Sequence, residues 1–456
     1  MTQSDSPVTS RRVLALALPM TLAHVTTPLL GFVGATVIGR LGDAALLGAM
    51  ALGAVIFDAI FWSFGSLRMA TAGLTAQAVG ARDAHEIDRT LARALAAALL
   101  VGAVIVLLQG PIGRAAFALS GASPAVITGL SAYFNIRIFA APFTLVNYAI
   151  LGSVLGRGRT DLGLLLQVAI NLTNILLTLA FVLGADLSVA GAGLATLIAE
   201  AAGAVLGLVV LARLGSRPFA VPFGVVRDPR ALARMLSVNA DVMIRTLLLV
   251  ACITLFSALG ARSGDVVLAA NAVLWNLFMI GGFFLDGFAT AAETLCGQAV
   301  GARDEARFRR AAGLSLAWCL VFGAVIAGGF LIAGNAFIDA VTTNPEVRTM
   351  ARLYLLPAAL APLLAAVPFA FDGIYIGATW TRAMRNLMLA ASAAYGLALI
   401  AVHSFSLGNG GLWLSFLILL AGRGVSQALA YPSLTRRTFG PAVPAPPGEA
   451  ARFTAA

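Results

Sequence analysis

Nine charged side chains sit inside stretches that are otherwise almost wholly apolar: Asp58, Arg68, Glu200, Asp241, Arg245, Asp286, Glu293, Asp372 and Arg423. Holding a charge at the centre of a bilayer costs at least ~2.5–3.5 kcal/mol, so each needs a partner, water or a task. Carboxylates removed from water can take up and release a proton, or hold a cation. Asp286 and Glu293 are seven residues apart, on one helical face two turns long. Asp286 and Asp372 each precede a glycine, Gly287 and Gly373, which leaves room for a neighbouring helix, water or a substrate. These features make Asp286 and Asp372 the first candidates for loading a coupling ion, a proton or sodium. Asp58, Glu293 and Glu200 follow, and internal salt bridging is the competing reading for Asp286 and Asp372. Asp58 falls near enough to a span end to be hydrated.

Asp241 and Arg245 have the spacing of a mutual ion pair, a structural neutralisation or a gate near one end of their span. Arg68 and Arg423 lie close enough to span ends for their aliphatic stems to carry the guanidinium to the interface. No metal-ligand spacing, nucleophile-plus-base set or phosphate loop is present, so an enzyme is not expected. His24, His85 and His403 stand apart from each other, and Cys252, Cys296 and Cys319 lie in apolar contexts as small core residues. No cofactor is implied.

The elements that must position these charges are membrane helices. Sixty per cent of the 456 residues are hydrophobic and only 11% charged, far from the composition of a soluble domain. Apolar runs long enough to cross a bilayer recur along the chain. They predict twelve spans, at 13–39, 46–74, 90–110, 131–155, 161–184, 189–212, 236–260, 266–297, 312–334, 351–378, 386–406 and 411–432. The predicted organisation is a cytoplasmic N-terminus (1–12), an N-terminal six-helix bundle (13–212), a cytoplasmic linker (213–235), a C-terminal six-helix bundle (236–432) and a disordered tail (433–456). Every basic residue is arginine, and most fall in alternate loops. That pattern puts both termini and the linker in the cytoplasm, in an inner membrane. It also makes the +10 net charge a topological signal rather than a nucleic-acid surface. Pro28, in the first span, marks a candidate hinge.

Gln77-Ala-Val-Gly-Ala-Arg-Asp83 recurs unchanged at Gln298–Asp304, an offset of 221 residues. Gly152, Gly156 and Thr160 recur at the same offset as Gly373, Gly377 and Thr381. Two homologous halves in parallel order follow, a common plan for transporters with a central site. The duplication does not extend to the charges. Asp286 aligns with Gly65, Asp372 with Leu151, and Asp58 with Met279.

Several stretches together resemble the multidrug and toxic compound extrusion (MATE) family, in its DinF-like branch. They are Thr27-Pro-Leu-Leu-Gly31, Val37-Ile-Gly-Arg-Leu-Gly42, Leu67–Gln77, Asn239–Arg245, Leu285–Ala289, Phe371–Thr379 and Met384-Arg-Asn386. The resemblance implies an all-α polytopic fold of twelve transmembrane helices in two pseudo-symmetric six-helix bundles around a central cavity. It implies cation antiport, with a proton expected before sodium, by a monomer in the lipid bilayer that exports small cationic or amphipathic compounds. DinF-like members carry an aspartate in the first span where this chain has Gly34, within Phe32-Val-Gly-Ala-Thr36. That position is therefore vacated, and coupling must rest on other acids or be altered. A flippase for lipid-linked precursors is the alternative within the superfamily. Such a protein would line its cavity with cations, whereas acids outnumber arginines in these spans.

Overall fold

The computed structural model describes residues 7–440, with the side chains of 27–29 excepted. Among the described residues, twelve helices are long and apolar enough to span a membrane. The first half contains α1 (Ser10–Gly39), α2 (Ala44–Gly80), α3 (Ala84–Leu107), α4 (Pro124–Gly156), α5 (Thr160–Gly184) and α6 (Ser188–Arg213). The second contains α7 (Pro229–Ala261), α8 (Asp265–Gly301), α9 (Glu305–Val341), α10 (Leu355–Gly377), α11 (Thr381–Ser404) and α12 (Gly408–Phe439).

Several helices run beyond the predicted spans because their ends are amphipathic rather than apolar. α9 begins at Glu305 instead of 312, and α2 continues to Gly80. α12 continues through Arg436 and Arg437 to Phe439, so the expected disorder from 433 does not hold for its first residues; 441–456 lie outside the described residues. α2 is interrupted at Gly65 and α4 by a short 3-10 turn at Ile138–Ala140, just before Pro142. Pro362 and Pro368 lie within α10. α1 runs unbroken through position 28, but the Pro28 side chain lies outside the described residues.

Each heptapeptide copy ends one helix and starts the next. Arg82 (φ 58°) and Arg303 (φ 54°) take the left-handed conformation that terminates α2 and α8. Asp83 then caps α3 by accepting from the Glu86 amide at 2.9 Å, and Asp304 caps α9 by accepting from the Arg307 amide at 2.9 Å. Gly152 and Gly156 let α4 lie directly on α2; a Cβ on either would come within 2.5 Å of a carbonyl oxygen, of Arg68 and Ala72 respectively. Gly373 and Gly377 bring α10 onto α8 in the same way, against the carbonyls of Ala289 and Glu293.

Among the described residues the two large apolar cores fall one to each half, with a small third cluster of Met20, Ala23, Ala72 and Leu155. α1 belongs to both. Val13 and Ala17 pack into the second core, whereas Val37 and Ile38 pack into the first. Between the halves, the segment after Arg213 folds against the start of α3, where Arg93 donates to the Val225 carbonyl and the Arg217 amide donates to Asp88.

Candidate functional site

The two halves meet at their arginine-rich ends through the repeated heptapeptide itself. Gly80 lies on the backbone of Gln298, and Gly301 on that of Gln77; a Cβ at either would sit 1.9 Å from the opposing carbonyl oxygen. Gln77 Nε2 donates to the Gly377 carbonyl at 2.8 Å, and Gln298 Nε2 to that of Gly156 at 3.3 Å. The contacts obey the same pseudo-twofold relation as the sequence repeat. They convert what read as helix-end signals into a seal between bundles. From this seal, hydrogen bonds and ion pairs between the halves extend to Asp286 and Phe284 on α8, which meet His24 and Thr21 of α1.

Beyond the seal lies a small cavity of about 50 Å³. Arg68 enters it from α2, Arg245 from α7, Asp286 and Glu293 from α8, Asp372 from α10 and Arg423 from α12. The predicted face of Asp286 and Glu293 is thus real, and both carboxylates reach one space.

Their partners differ. Asp372 is buried and bonded from three sides: Arg423 donates at 2.8 Å, Gln427 Nε2 at 2.9 Å, and Arg245 forms an ion pair with the same carboxylate. Asp286 Oδ2 lies 3.0 Å from His24 Nε2 on α1, a close approach out of line for a hydrogen bond. α1 can come this near because Gly287 is bare; a Cβ there would lie 2.1 Å from Thr21 Oγ1. Glu293 is 4% exposed, and its Oε1 has no hydrogen-bond partner. Arg68 Nη1 is likewise buried without one. A buried charged atom left in that condition is unfavourable unless something else occupies its partner's place.

This plan is already known among solved structures. An outward-facing multidrug resistance MATE family transporter superposes with a TM-score of 0.83 over 94% of this chain and 96% of its own, at 19% identity, a likeness of fold. The MatE family model matches residues 19–180 and 242–402, one match in each half. DNA damage-inducible protein F of Escherichia coli strain K12 is 38% identical over 91% of this chain and 90% of its own length. This chain belongs to the MatE family. A probable multidrug resistance protein NorM from Deinococcus radiodurans is 28% identical over 91% of this chain and 93% of its own. As a MatE protein the chain is a transporter, not an enzyme, with multidrug efflux proteins among its relatives.

Three expectations are overturned by the contacts of this MatE chain. Asp241 and Arg245 do not pair. Asp241 accepts from Arg385 at 2.6 Å and from Thr381 at 3.1 Å, while Arg245 turns inward to Asp372. Asp241 is already satisfied by Arg385 and Thr381, whereas Asp372 on α10 reaches Arg245 across the helix interface. Arg423 does not snorkel; it is 4% exposed and bonded to Asp372. Arg68 also points to the cavity rather than to an interface. Finally, the excess of acids over arginines along the spans does not carry into the cavity, where three arginines face three carboxylates.

The remaining candidates lie in the first half. Asp58 lies on the exposed surface of α2, near Arg137. Glu200 accepts from Asn147 Nδ2 at 2.7 Å, near Arg137, whose guanidinium lies 4.7 Å from the Phe57 ring centre. Gly34 has room: a Cβ would meet only the flexible tip of Met50, at 2.9 Å. Sequence reasoning missed His24 as the partner of Asp286. It also missed a chain of neutral polar groups along α5, in which Gln167 donates to Asn171, Asn171 to Thr26, Thr178 to Asn174, and Asn174 to Thr196. Neutral amides carry no hydropathy signal strong enough to single them out.

Proposed function

We propose that the protein exports small organic molecules across the inner membrane in exchange for protons, by alternating access of the cavity to its two sides. One observation carries this reading: Glu293 is a buried carboxylate with an unpartnered oxygen in the central cavity. Of the candidate coupling residues in that cavity, Asp372 is held by two arginines and a glutamine, and Asp286 by His24. Glu293 therefore has the least to break on receiving a proton. The charged groups around it are Arg68, Asp286 with His24, and the Arg245–Asp372–Arg423 cluster. A proton there and a bound substrate would compete for one carboxylate, which is the opposed binding that antiport requires.

The seal supports the conformational half of the cycle. With the arginine-rich ends cytoplasmic, as arginine bias predicts, the cavity is closed toward the cytoplasm. Breaking the Gly80–Gln298 and Gly301–Gln77 contacts would open it there.

The test is transport in proteoliposomes with a fluorescent drug-like cation, driven by an imposed pH gradient or by a sodium gradient at fixed pH. The proposal expects uptake against the pH gradient and none from sodium alone. Sodium-driven uptake with no response to pH would refute proton antiport, and no uptake under either gradient would refute coupled export.

A further inference from the structure

The linker between the halves presents a surface that is both cationic and aromatic. From Arg213 to Arg230 it carries four arginines and a single acid, Asp228. Among the described residues, the exposed side chains of Arg213, Arg217 and Arg230 pair with no carboxylate, and the Arg227 guanidinium lies 4.7 Å from the centre of the Phe223 ring. Phe219 is 79% exposed and Phe223 69%. Two bare phenylalanines among unpaired arginines are unfavourable in water, and are the composition of a segment that lies in a membrane interface.

The fold sets the depth of this segment. Pro218–Ala220 forms a 3-10 turn and Phe223–Val226 a single helical turn. Ser216 and Pro218 are buried, the Arg217 amide donates to Asp88 at 3.1 Å, and Arg93 donates to the Val225 carbonyl at 3.2 Å while pairing with Glu86 at 2.9 Å. These contacts hold the linker along the first three turns of α3. Arg93 is the last charge on that helix. From Ala94 to Leu107 there is none, and Leu99 and Leu100 are 53% and 67% exposed, as on a face that meets acyl chains. The linker is therefore fixed where α3 passes from charged to apolar, at headgroup depth, with both phenylalanine rings turned outward.

We propose that the linker docks on the bilayer surface and selects anionic phospholipid there, with Phe219 and Phe223 among the outermost acyl carbons and Arg213, Arg217, Arg227 and Arg230 on lipid phosphates. The partner is a lipid surface rather than a protein because the segment lies beside a lipid-facing helix at the level of the headgroups. The lipid is anionic because the free charge of the segment has one sign, and guanidinium groups near a negative surface are attracted to it within about one Debye length, roughly 8–10 Å. Arginine bias alone orients the chain and would need neither exposed aromatic rings nor a clamp on α3. The proposal concerns the linker and not the cavity, so it stands apart from what the protein exports and from the coupling ion.

The experiment places a nitroxide spin label on the full-length protein in nanodiscs, at Phe219→Cys or Phe223→Cys, one site at a time. Cys252, Cys296 and Cys319 are buried, so the label goes to the introduced thiol. The discs contain phosphatidylcholine alone or phosphatidylcholine mixed with phosphatidylglycerol. The reading is the ratio of label collisions with oxygen, which concentrates among acyl chains, to collisions with a water-soluble nickel chelate. A label at His85→Cys, exposed at the start of α3, gives the value for water. The ratio at 219 and 223 is expected to exceed that at 85, and to rise further when phosphatidylglycerol is added. Arg213→Gln, Arg217→Gln, Arg227→Gln and Arg230→Gln together should abolish that rise, with the spectrum of the label at 85 unchanged as the sign that the fold is intact. A ratio at 219 and 223 equal to that at 85 would overturn the docking, as would labels shielded from oxygen and nickel alike, which would mean that protein covers the segment. The same ratio in both lipids, or a rise that survives loss of the four arginines, would overturn the selection of anionic lipid.

Discussion

Gly156 and Gly377 do the same work in the two halves, each letting one helix lie on the backbone of another, but the residues beneath them differ. Under Gly156 is the carbonyl of Ala72; under Gly377, at the equivalent position, is that of Glu293. The comparison generalises. Backbone packing, helix caps and the Gln77 and Gln298 hydrogen bonds are duplicated almost contact for contact. The buried charge is not. The second half contributes Asp286, Glu293, Asp372, Arg245 and Arg423 to the cavity, and the first half contributes Arg68. Symmetric contacts suit a seal that must open and close as one. Asymmetric charge suits a site that must bind, because a duplicated carboxylate would repel its twin across the axis.

The largest expected effect breaks the asymmetric side. Asp372→Asn leaves two buried guanidiniums facing an amide, and should cost on the order of 3–5 kcal/mol of stability in detergent unfolding. Asp58→Asn, at the exposed acid of the other half, should stay within about 0.5 kcal/mol. Similar losses for the two would erase the contrast.

Next come the symmetric contacts. Gly80→Ala and Gly301→Ala each place a methyl group against an opposing carbonyl, and each should disfavour the sealed state by roughly 1–3 kcal/mol. Distance measurements between spin labels across the arginine-rich ends would read this as a shift to wider separations. The two variants should shift alike, and a large effect in only one would contradict the pseudo-twofold seal.

A smaller effect distinguishes partners. A double-mutant cycle should find coupling of about 0.5–3 kcal/mol between Asp241 and Arg385, and close to none between Asp241 and Arg245. The smallest is at the vacated position: Gly34→Asp should fold with a cost below about 1.5 kcal/mol, since only the tip of Met50 need move. A variant that fails to fold would show that the first half has no room for the missing acid.

The twelve helices and the two halves were legible because hydropathy and exact repetition need no tertiary information. Span ends were less so, since the starts of α3 and α9 are polar on one face and helical all the same. Asp286 and Glu293 could be assigned to one face because a single helix sets their spacing. The partners of Arg245 and Arg423 could not, because Asp372 reaches them from a third helix, and local spacing pointed Arg245 to Asp241 instead. His24 was invisible for the same reason: it lies 262 residues from Asp286, and only the bare surface of Gly287 brings α1 against α8. Nor does counting acids and arginines over whole spans give the polarity of a cavity, because Asp58, Glu200 and Asp241 do not line it.

The central claim is that coupling resides in one carboxylate of the second half. It is tested most directly by comparing Glu293→Gln with the wild type in proteoliposomes, measuring substrate exchange without a gradient beside uptake driven by a pH gradient. The account predicts that the variant still exchanges substrate across the membrane but no longer accumulates it in response to pH. Undiminished pH-driven accumulation by Glu293→Gln would contradict it.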